Sequence, residues 1–435
     1  MAPIAASGDH RRVKSAAFLF ACGCAGAAPH WLDPARSIWP AISLALMLGG
    51  YGLRTVLQSE PSRRMAVGAP VDLPSLDVVV AARDEESVVT RLVERLTALR
   101  YPSGQLSTWV IDDGSLDRTP QLLDELAATH TSLRVIHRPR DAGGGKSGAL
   151  NTALHQLRGE WLLVLDADAQ LQEDLLEHLI PYALEGGWSA VQLRKAVIDA
   201  DRNWLTRAQA MEMALDAVIQ QGRLSGGGVA ELRGNGQLIR RSVLEASGGF
   251  NEDTVTDDLD LSFRLLTHGA LVGILWDPPV QEEAVPGLAA LWKQRQRWAE
   301  GGLQRFFDYW PTLTSDQLSL RQRWDLACFF LLQYGLPMVS FADLSTSLVT
   351  RTPPSYWPLS VVAFSVSGLA YWRGCSISSE GPPIPSAGPR QLLLAILYLS
   401  HWFIVIPWVT LKMAVLPKRL VWAKTSHGEQ EPVQA

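Results

Sequence analysis

The sequence predicts an α/β protein: a mostly parallel, Rossmann-like, doubly wound sheet inserted between amino- and carboxyl-terminal transmembrane helices. Three observations carry that expectation. Between residue 76 and about residue 285, short apolar strands alternate with helical periods. Both ends of the chain hold apolar runs of about 18 residues or more, close to the length that crosses a hydrocarbon core. Acids cluster where the apolar strands stop, which in such a sheet is the ligand-binding edge.

The bulk properties narrow the class. A chain of 435 residues has room for a full core, and its formal net charge of −5 offers no basic footprint for nucleic acid. Four cysteines, Cys22, Cys24, Cys328 and Cys375, sit in or beside apolar stretches, which suits core or lipid-facing positions. Neither a metal cluster nor a disulfide framework fits their spacing.

The elements follow in order. Residues 1–60 read as a helical hairpin, "SAAFLFACGCAGAAPHWL" and "SIWPAISLALMLGGYGLRTVL". The basic start "DHRRVK" also suits a signal peptide, but a second apolar run close behind argues against simple cleavage. A Pro-rich linker leads into an α/β domain over residues 72–285, with strands "LDVVVAAR", "STWVIDD", "LRVIHR" and "EWLLVLDAD". In "EESVVTRLVERLTAL", Val88, Val89, Leu92, Val93 and Leu96 share one helical face. Residues 286–322 read as an amphipathic segment at the membrane surface, with cations interleaved among Trp298, Phe306, Phe307 and Trp310. Residues 323–417 hold three further apolar runs, and 418–435 form a tail.

The stretch "DAGGGKSGAL" raises the possibility of a phosphate loop. Such a loop needs a glycine five residues before its Gly-Lys pair, and counting back from Gly145 lands on Arg140. A P-loop nucleotidase is therefore disfavoured, although Lys146 can still meet a diphosphate as a mobile point charge. The remaining motifs are acidic. Asp112 and Asp113 end one strand in "VIDDGS"; helix-start preference accounts for one acid there, not for two. In "VLDADA", Asp166 and Asp168 are spaced i, i+2, so both carboxylates leave on one side and suit Mg²⁺ or Mn²⁺. In "TVTDDLDL", Thr256 is a plausible helix cap and Asp258 the candidate general base. The last motif is "QRQRW", with Gln294, Arg297 and Trp298.

Together these four motifs, in this order, resemble the membrane-bound inverting glycosyltransferases of family 2, which have the GT-A fold. The resemblance covers residues 76 to about 310 and reaches into the flanking apolar segments. It implies that Asp113, with Asp112, holds the uridine of a UDP-sugar, and that Asp166 and Asp168 hold a divalent metal on its diphosphate. Asp258 would be the base, with Gln294, Arg297 and Trp298 bordering the acceptor and the leaving diphosphate. Glu85, in "AARDEE", matches the first-strand acid near the base, although the family's usual Asn before it is Asp84 here. The runs "KSGALN", "AELRGNGQLIRR" and "QRQRWAEGG" resemble, more narrowly, the monoglucosyldiacylglycerol synthases of oxygenic photosynthetic membranes. That likeness implies transfer of glucose from UDP-glucose to diacylglycerol in a plasma or thylakoid membrane, with the catalytic domain cytoplasmic. Residue spacing alone derives neither glucose nor diacylglycerol.

A processive polysaccharide synthase of the cellulose or chitin type shares all four motifs, but it needs more helices to enclose a polymer channel. The basic residues at 11–14 and 63–64 keep both ends of the hairpin cytoplasmic. Three carboxyl-terminal spans would then put the tail outside against the same rule, so either one span is re-entrant, with Asp325 or Asp343 marking it, or the rule fails here, and four to five spans are expected.

Overall fold

The computed structural model describes residues 10–32, 38–62 and 73–417. The tail 418–435 and the basic pair Arg63 and Arg64 lie outside the described residues. Seven strands form one sheet: β1 (Leu76–Ala82), β2 (Leu106–Asp112), β3 (Leu133–His137), β4 (Trp161–Leu165), β5 (Ala190–Val197), β6 (Gln237–Arg240) and β7 (Val272–Glu282). Their spatial order is β3-β2-β1-β4-β6-β5-β7, with β6 antiparallel to β4 and β5 and the other neighbours parallel.

Before the sheet come α1 (Arg11–Ala27) and α2 (Trp39–Leu57). Between strands lie α3 (Val89–Thr97), α4 (Thr119–Thr129), α5 (Gly145–Leu154), α6 (Leu175–Glu185), α7 (Trp204–Ser225), α8 (Arg241–Ala246) and α9 (Asp257–Thr267). Beyond it follow α10 (Leu288–Asp308), α11 (Trp310–Thr314), α12 (Leu320–Thr350), α13 (Trp357–Ser376), α14 (Pro389–Leu399) and α15 (Trp402–Val415).

The strands read as continuous apolar runs because both faces of the sheet are covered. Val78, Val80, Leu163 and Leu165 pack on one side against α3 and α6. Val79, Ile111, Leu162 and Val164 pack on the other against α5 and α9. The predicted apolar face of α3 is buried in full, Val88 included. One acid interrupts β1. Asp77 is buried, and its carboxylate accepts from Trp109 Nε1 at 3.0 Å and from the Arg158 and Gly159 amides at 2.9 and 2.6 Å.

Three helices are long and apolar enough to cross a membrane among the described residues: α2, α12 and the stretch Pro389–Val415. A turn at Ser400 and His401 interrupts the last of these, and α12 carries a π-turn at Leu331–Gly335. Of the other apolar segments, α1 is 17 residues long and packs on α12 and α15, whereas α13 packs on α2 and α7. The two acids flagged in this region are satisfied by neighbouring elements. Asp343 meets His30 Nε2 at 2.9 Å and the amides of Ser355 and Tyr356 at 2.9 and 3.1 Å, just before α13. Asp325 meets Arg223 Nη2 at 2.9 Å and the Tyr51 hydroxyl at 2.8 Å.

Candidate active site

The first acid pair sits where β2 ends. Asp112 accepts from the Ser115 amide at 3.0 Å and faces His137 Nδ1 at 3.0 Å. Asp113 pairs with Arg138, and with Arg83 at 3.3 Å; burial raises its carboxyl pKa and those guanidinium groups only partly offset the rise. Gly114 takes φ +69°, and a Cβ there would strike the backbone of Arg140. The residue that spoils the phosphate-loop spacing thus packs against the "DDGS" turn. Glu85 is buried close by, its amide donating to Thr119 Oγ1 at 2.8 Å.

The glycine run opens α5. Gly143, Gly144 and Gly145 all have positive φ, a path that side chains resist, and it delivers Lys146 to Asp166 at 2.5 Å. Asp166 follows the last residue of β4, and its amide donates to Asn235 Oδ1 at 3.1 Å. Gln192 in turn clamps the "RGNG" loop, accepting from the Arg233 amide at 2.6 Å and donating to the Asn235 carbonyl at 2.7 Å. Burial opposes the Asp166 charge, but Lys146 outweighs it and holds the carboxyl below its ordinary range. The Asp168 carboxyl is pushed up to about 7, first by burial and then by the charges of Asp166 and Glu282.

Helices α9 and α10 supply the rest. Thr256 occupies the cap position of α9 but makes no side-chain capping bond, contrary to the sequence expectation. Asp260 is taken up by Arg264 at 2.7 Å, Tyr309 at 2.9 Å and Asn251 at 3.0 Å. Asp258 instead lines the cavity, with its carboxyl pushed up to about 6 by burial and then by Asp257. On α10, Gln294, Arg297 and Trp298 line the same cavity at i, i+3 and i+4. Arg295 turns away, ion-paired with Glu212 and hydrogen-bonded to Tyr398 at 2.8 Å. Further along α10, two of the aromatics expected at the membrane surface lie inside the protein, whereas Trp310 is exposed. Phe306 and Phe307 are buried in a core cluster with Phe263, Tyr334 and Val405, because α10 is packed between α9 and the carboxyl-terminal helices.

The cavity measures about 490 Å³. It brings together Glu85, Lys146, Asp166, Asp168, Asp258 and the three α10 residues. Asp112 and Asp113 are not part of its wall; Arg83, which does line it, lies between. Sequence reasoning missed Lys195, Glu282 and Arg233, which also line the cavity. Lys195 Nζ meets Glu282 at 3.0 Å, and Arg233 meets Asp216 at 3.0 Å. Lys195 and Glu282 stand on different strands outside every quoted motif, and Arg233 sits in the run "AELRGNGQLIRR" without a role that spacing alone would assign.

Among the described residues no three His, Cys, Asp or Glu side chains converge as a ready-made metal cage. The donor set nonetheless fits a hard cation bound through two carboxylates plus substrate oxygens and water. Asp168 carries crowded negative charge from Asp166 and Glu282, which such a cation would offset. Chemically, the arrangement offers a half-buried carboxylate of raised basicity in the same cavity as an acidic pair flanked by Lys146 and Arg297.

Comparison with known proteins agrees with this geometry. The family model described as glycosyltransferase-like family 2 matches residues 74–301, which takes in the whole sheet. A Beta-monoglucosyldiacylglycerol synthase of Synechocystis is 42% identical over 97% of this chain and 89% of its own. A protein of the same name from Nostoc is 43% identical over 82% of this chain and 77% of its own. The solved mannosyltransferase of Pyrobaculum calidifontis, in complex with GDP-Man and Mn²⁺, superposes with a TM-score of 0.59 at 20% identity, over 86% of this chain and 97% of that one. The likeness to that structure concerns the fold, which is of the GT-A type. With the acids on the carboxyl edge of such a sheet and this degree of identity along nearly its full length, the chain belongs to glycosyltransferase family 2.

Proposed function

We propose that the protein transfers glucose from UDP-glucose to the free hydroxyl of 1,2-diacylglycerol, inverting the anomeric centre to give a β-glucosyl lipid. The observation that carries this reading is the 42% identity to a Beta-monoglucosyldiacylglycerol synthase across 97% of the chain. The cavity supports it, since its walls run from the acids to aliphatic side chains on α2, α12 and α13.

In this reading Asp258 accepts the proton of the acceptor hydroxyl as the oxygen attacks the anomeric carbon from the face opposite UDP. The bond from that carbon to the diphosphate oxygen breaks, and UDP leaves with the electron pair. Lys146 and Arg297 stabilise the charge that develops on the leaving diphosphate. Asp166 and Asp168 would hold Mg²⁺ or Mn²⁺, which when bound neutralises diphosphate charge. Asp113, with Asp112, holds the uridine, while Gln294 and Trp298 border the acceptor and Glu85 stands beside the base. The apolar helices sit in a plasma or thylakoid membrane, with the catalytic domain on the cytoplasmic side where UDP-sugars are found.

The test is direct. Purified full-length protein in lipid nanodiscs, given UDP-glucose, Mg²⁺ and diacylglycerol, is expected to form β-monoglucosyldiacylglycerol. Insoluble glucan, or no lipid product under these conditions, overturns the reading.

A further inference from the structure

The cavity does not end at the catalytic acids. Its wall continues to Leu48 and Gly52 on α2, Leu332 and Leu336 on α12, and Val362 and Val366 on α13. Two of these helices, α2 and α12, are long and apolar enough to cross a membrane. One continuous space therefore has a polar floor containing Asp258 and a mainly apolar lobe between long apolar helices.

We propose that this lobe is an acyl-chain chamber. It takes a fatty acyl chain of the acceptor while the free hydroxyl reaches Asp258, and its size makes the enzyme sensitive to chain length. This inference rests on the acceptor being diacylglycerol. The wall there is mainly apolar, with Phe364, Trp402 and Phe403 beside the aliphatic residues and few polar groups such as Gln333 and Ser367. It favours methylene groups, whereas a sugar chain in the same place would exchange many hydrogen bonds to water for few to protein. The lobe is closed on the α2–α13 side by close packing. A Cβ added at Gly52 would lie 2.9 Å from Val366 Cγ1, and one at Gly49 would strike Val362. Beside Asp258 the wall turns at Gly234, whose φ of +89° favours glycine and places its Cα next to the Asp258 carboxylate. The chamber is also distinct from the aromatic segment of α10, whose Phe306 and Phe307 are packed inside the protein.

Ala363 lies on the α13 wall of the lobe, and a phenylalanine there would occupy part of it. The experiment compares dioleoylglycerol with dihexanoylglycerol as acceptors for wild type and Ala363→Phe, in nanodiscs with UDP-glucose. The expected result is a fall of about tenfold in the kcat/KM ratio of long to short acceptor, as withdrawing about two methylenes from an apolar site would produce. An unchanged ratio in a variant that still binds UDP overturns the chamber while leaving the acceptor reading intact. If wild type glucosylates neither acceptor, the acceptor reading falls and the chamber with it. Should the variant fail to fold, wild-type protein answers the question with a diacylglycerol bearing a diazirine near one acyl terminus. Photolabelling of the lobe-facing residues of α2, α12 or α13 supports the chamber; labelling confined to other surfaces overturns it.

Discussion

At the scale of single residues, the proposed chemistry turns on Asp258. Burial and Asp257 raise its carboxyl to about 6, so it is ionised at neutral pH yet more basic than a free aspartate. Replacing it by the isosteric amide, Asp258→Asn, removes the acceptor for the proton and leaves the nucleotide contacts in place. The expected outcome is a loss of about 10²- to 10⁴-fold in kcat, with UDP affinity retained in calorimetry. The pH dependence follows from the same shift. Only the carboxylate form accepts a proton, so log kcat/KM should rise with pH and level off above about 6. A flat profile between pH 5 and 7 would argue against Asp258 as the base. The acidic pair makes its own prediction: chelation with EDTA should abolish transfer, and added Mg²⁺ or Mn²⁺ should restore it, as product formation would show.

Much of the convergence on this cavity was legible in the sequence, because residues confined to one turn leave a local signature. Asp166 with Asp168, and Asp258 after Thr256, are such cases. Lys195 was not legible, and Arg233, although inside the run "AELRGNGQLIRR", carried no assigned role, since only the sheet order brings β5 and the loop before β6 to the cavity.

At the scale of elements, α10 shows what a motif leaves undecided. "QRQRW" contains two arginines, and either could face the substrate. The register puts Arg297 on the face of Gln294 and Trp298, while Arg295 is drawn to Glu212 on α7. Two of the aromatics that follow, Phe306 and Phe307, were expected at the membrane surface and are buried instead, for a related reason. Cations beside aromatics look interfacial in one dimension, but Arg305 is buried against Glu231 at 3.1 Å, and Phe306 is buried with it. Phe306→Ala should therefore act as a core truncation and cost about 3–5 kcal/mol, seen as a lowered melting temperature and not as altered acceptor choice. The seating of α10 on α9 depends on Gly301, because a Cβ there would overlap the side chain of Thr256. Gly301→Ala is expected to push Arg297 and Trp298 away from Asp258, reducing kcat by up to about 10²-fold. Adding Thr256→Gly removes the overlapping atoms, so the double variant should recover much of the loss. Equal activity of the single and double variants would show that this contact does not position the site.

At the scale of the whole molecule, the question is how the apolar helices and the α/β domain act as one body. The connection is a string of charge, buried except at its Asp216 end, in which three guanidinium groups face three carboxylates. Glu231 meets Arg305 of α10 at 3.1 Å, and Arg223 of α7 and Arg233 each at 3.5 Å. Arg223 continues to Asp325 of α12 at 2.9 Å, where Tyr51 of α2 also donates at 2.8 Å, and Arg233 continues to Asp216 at 3.0 Å. The loop that carries Glu231 and Arg233 goes on to Gly234 and Asn235, the neighbours of Asp258 and Asp166. Helix packing and the geometry of the acids are thereby tied to the same few residues. Glu231→Gln leaves the converging guanidinium groups without their shared counter-charge, which is expected to cost about 3–5 kcal/mol. Asp325→Asn breaks the next link, toward α2 and α12. Because the two acids share Arg223, their effects should be coupled, with a departure from additivity of about 0.5–3 kcal/mol. Thermal unfolding of both single variants and the double variant in the same nanodisc measures it. Strictly additive shifts in melting temperature, with transfer activity untouched, would mean that the string is a set of independent pairs and that the apolar helices do not brace the acids of the cavity.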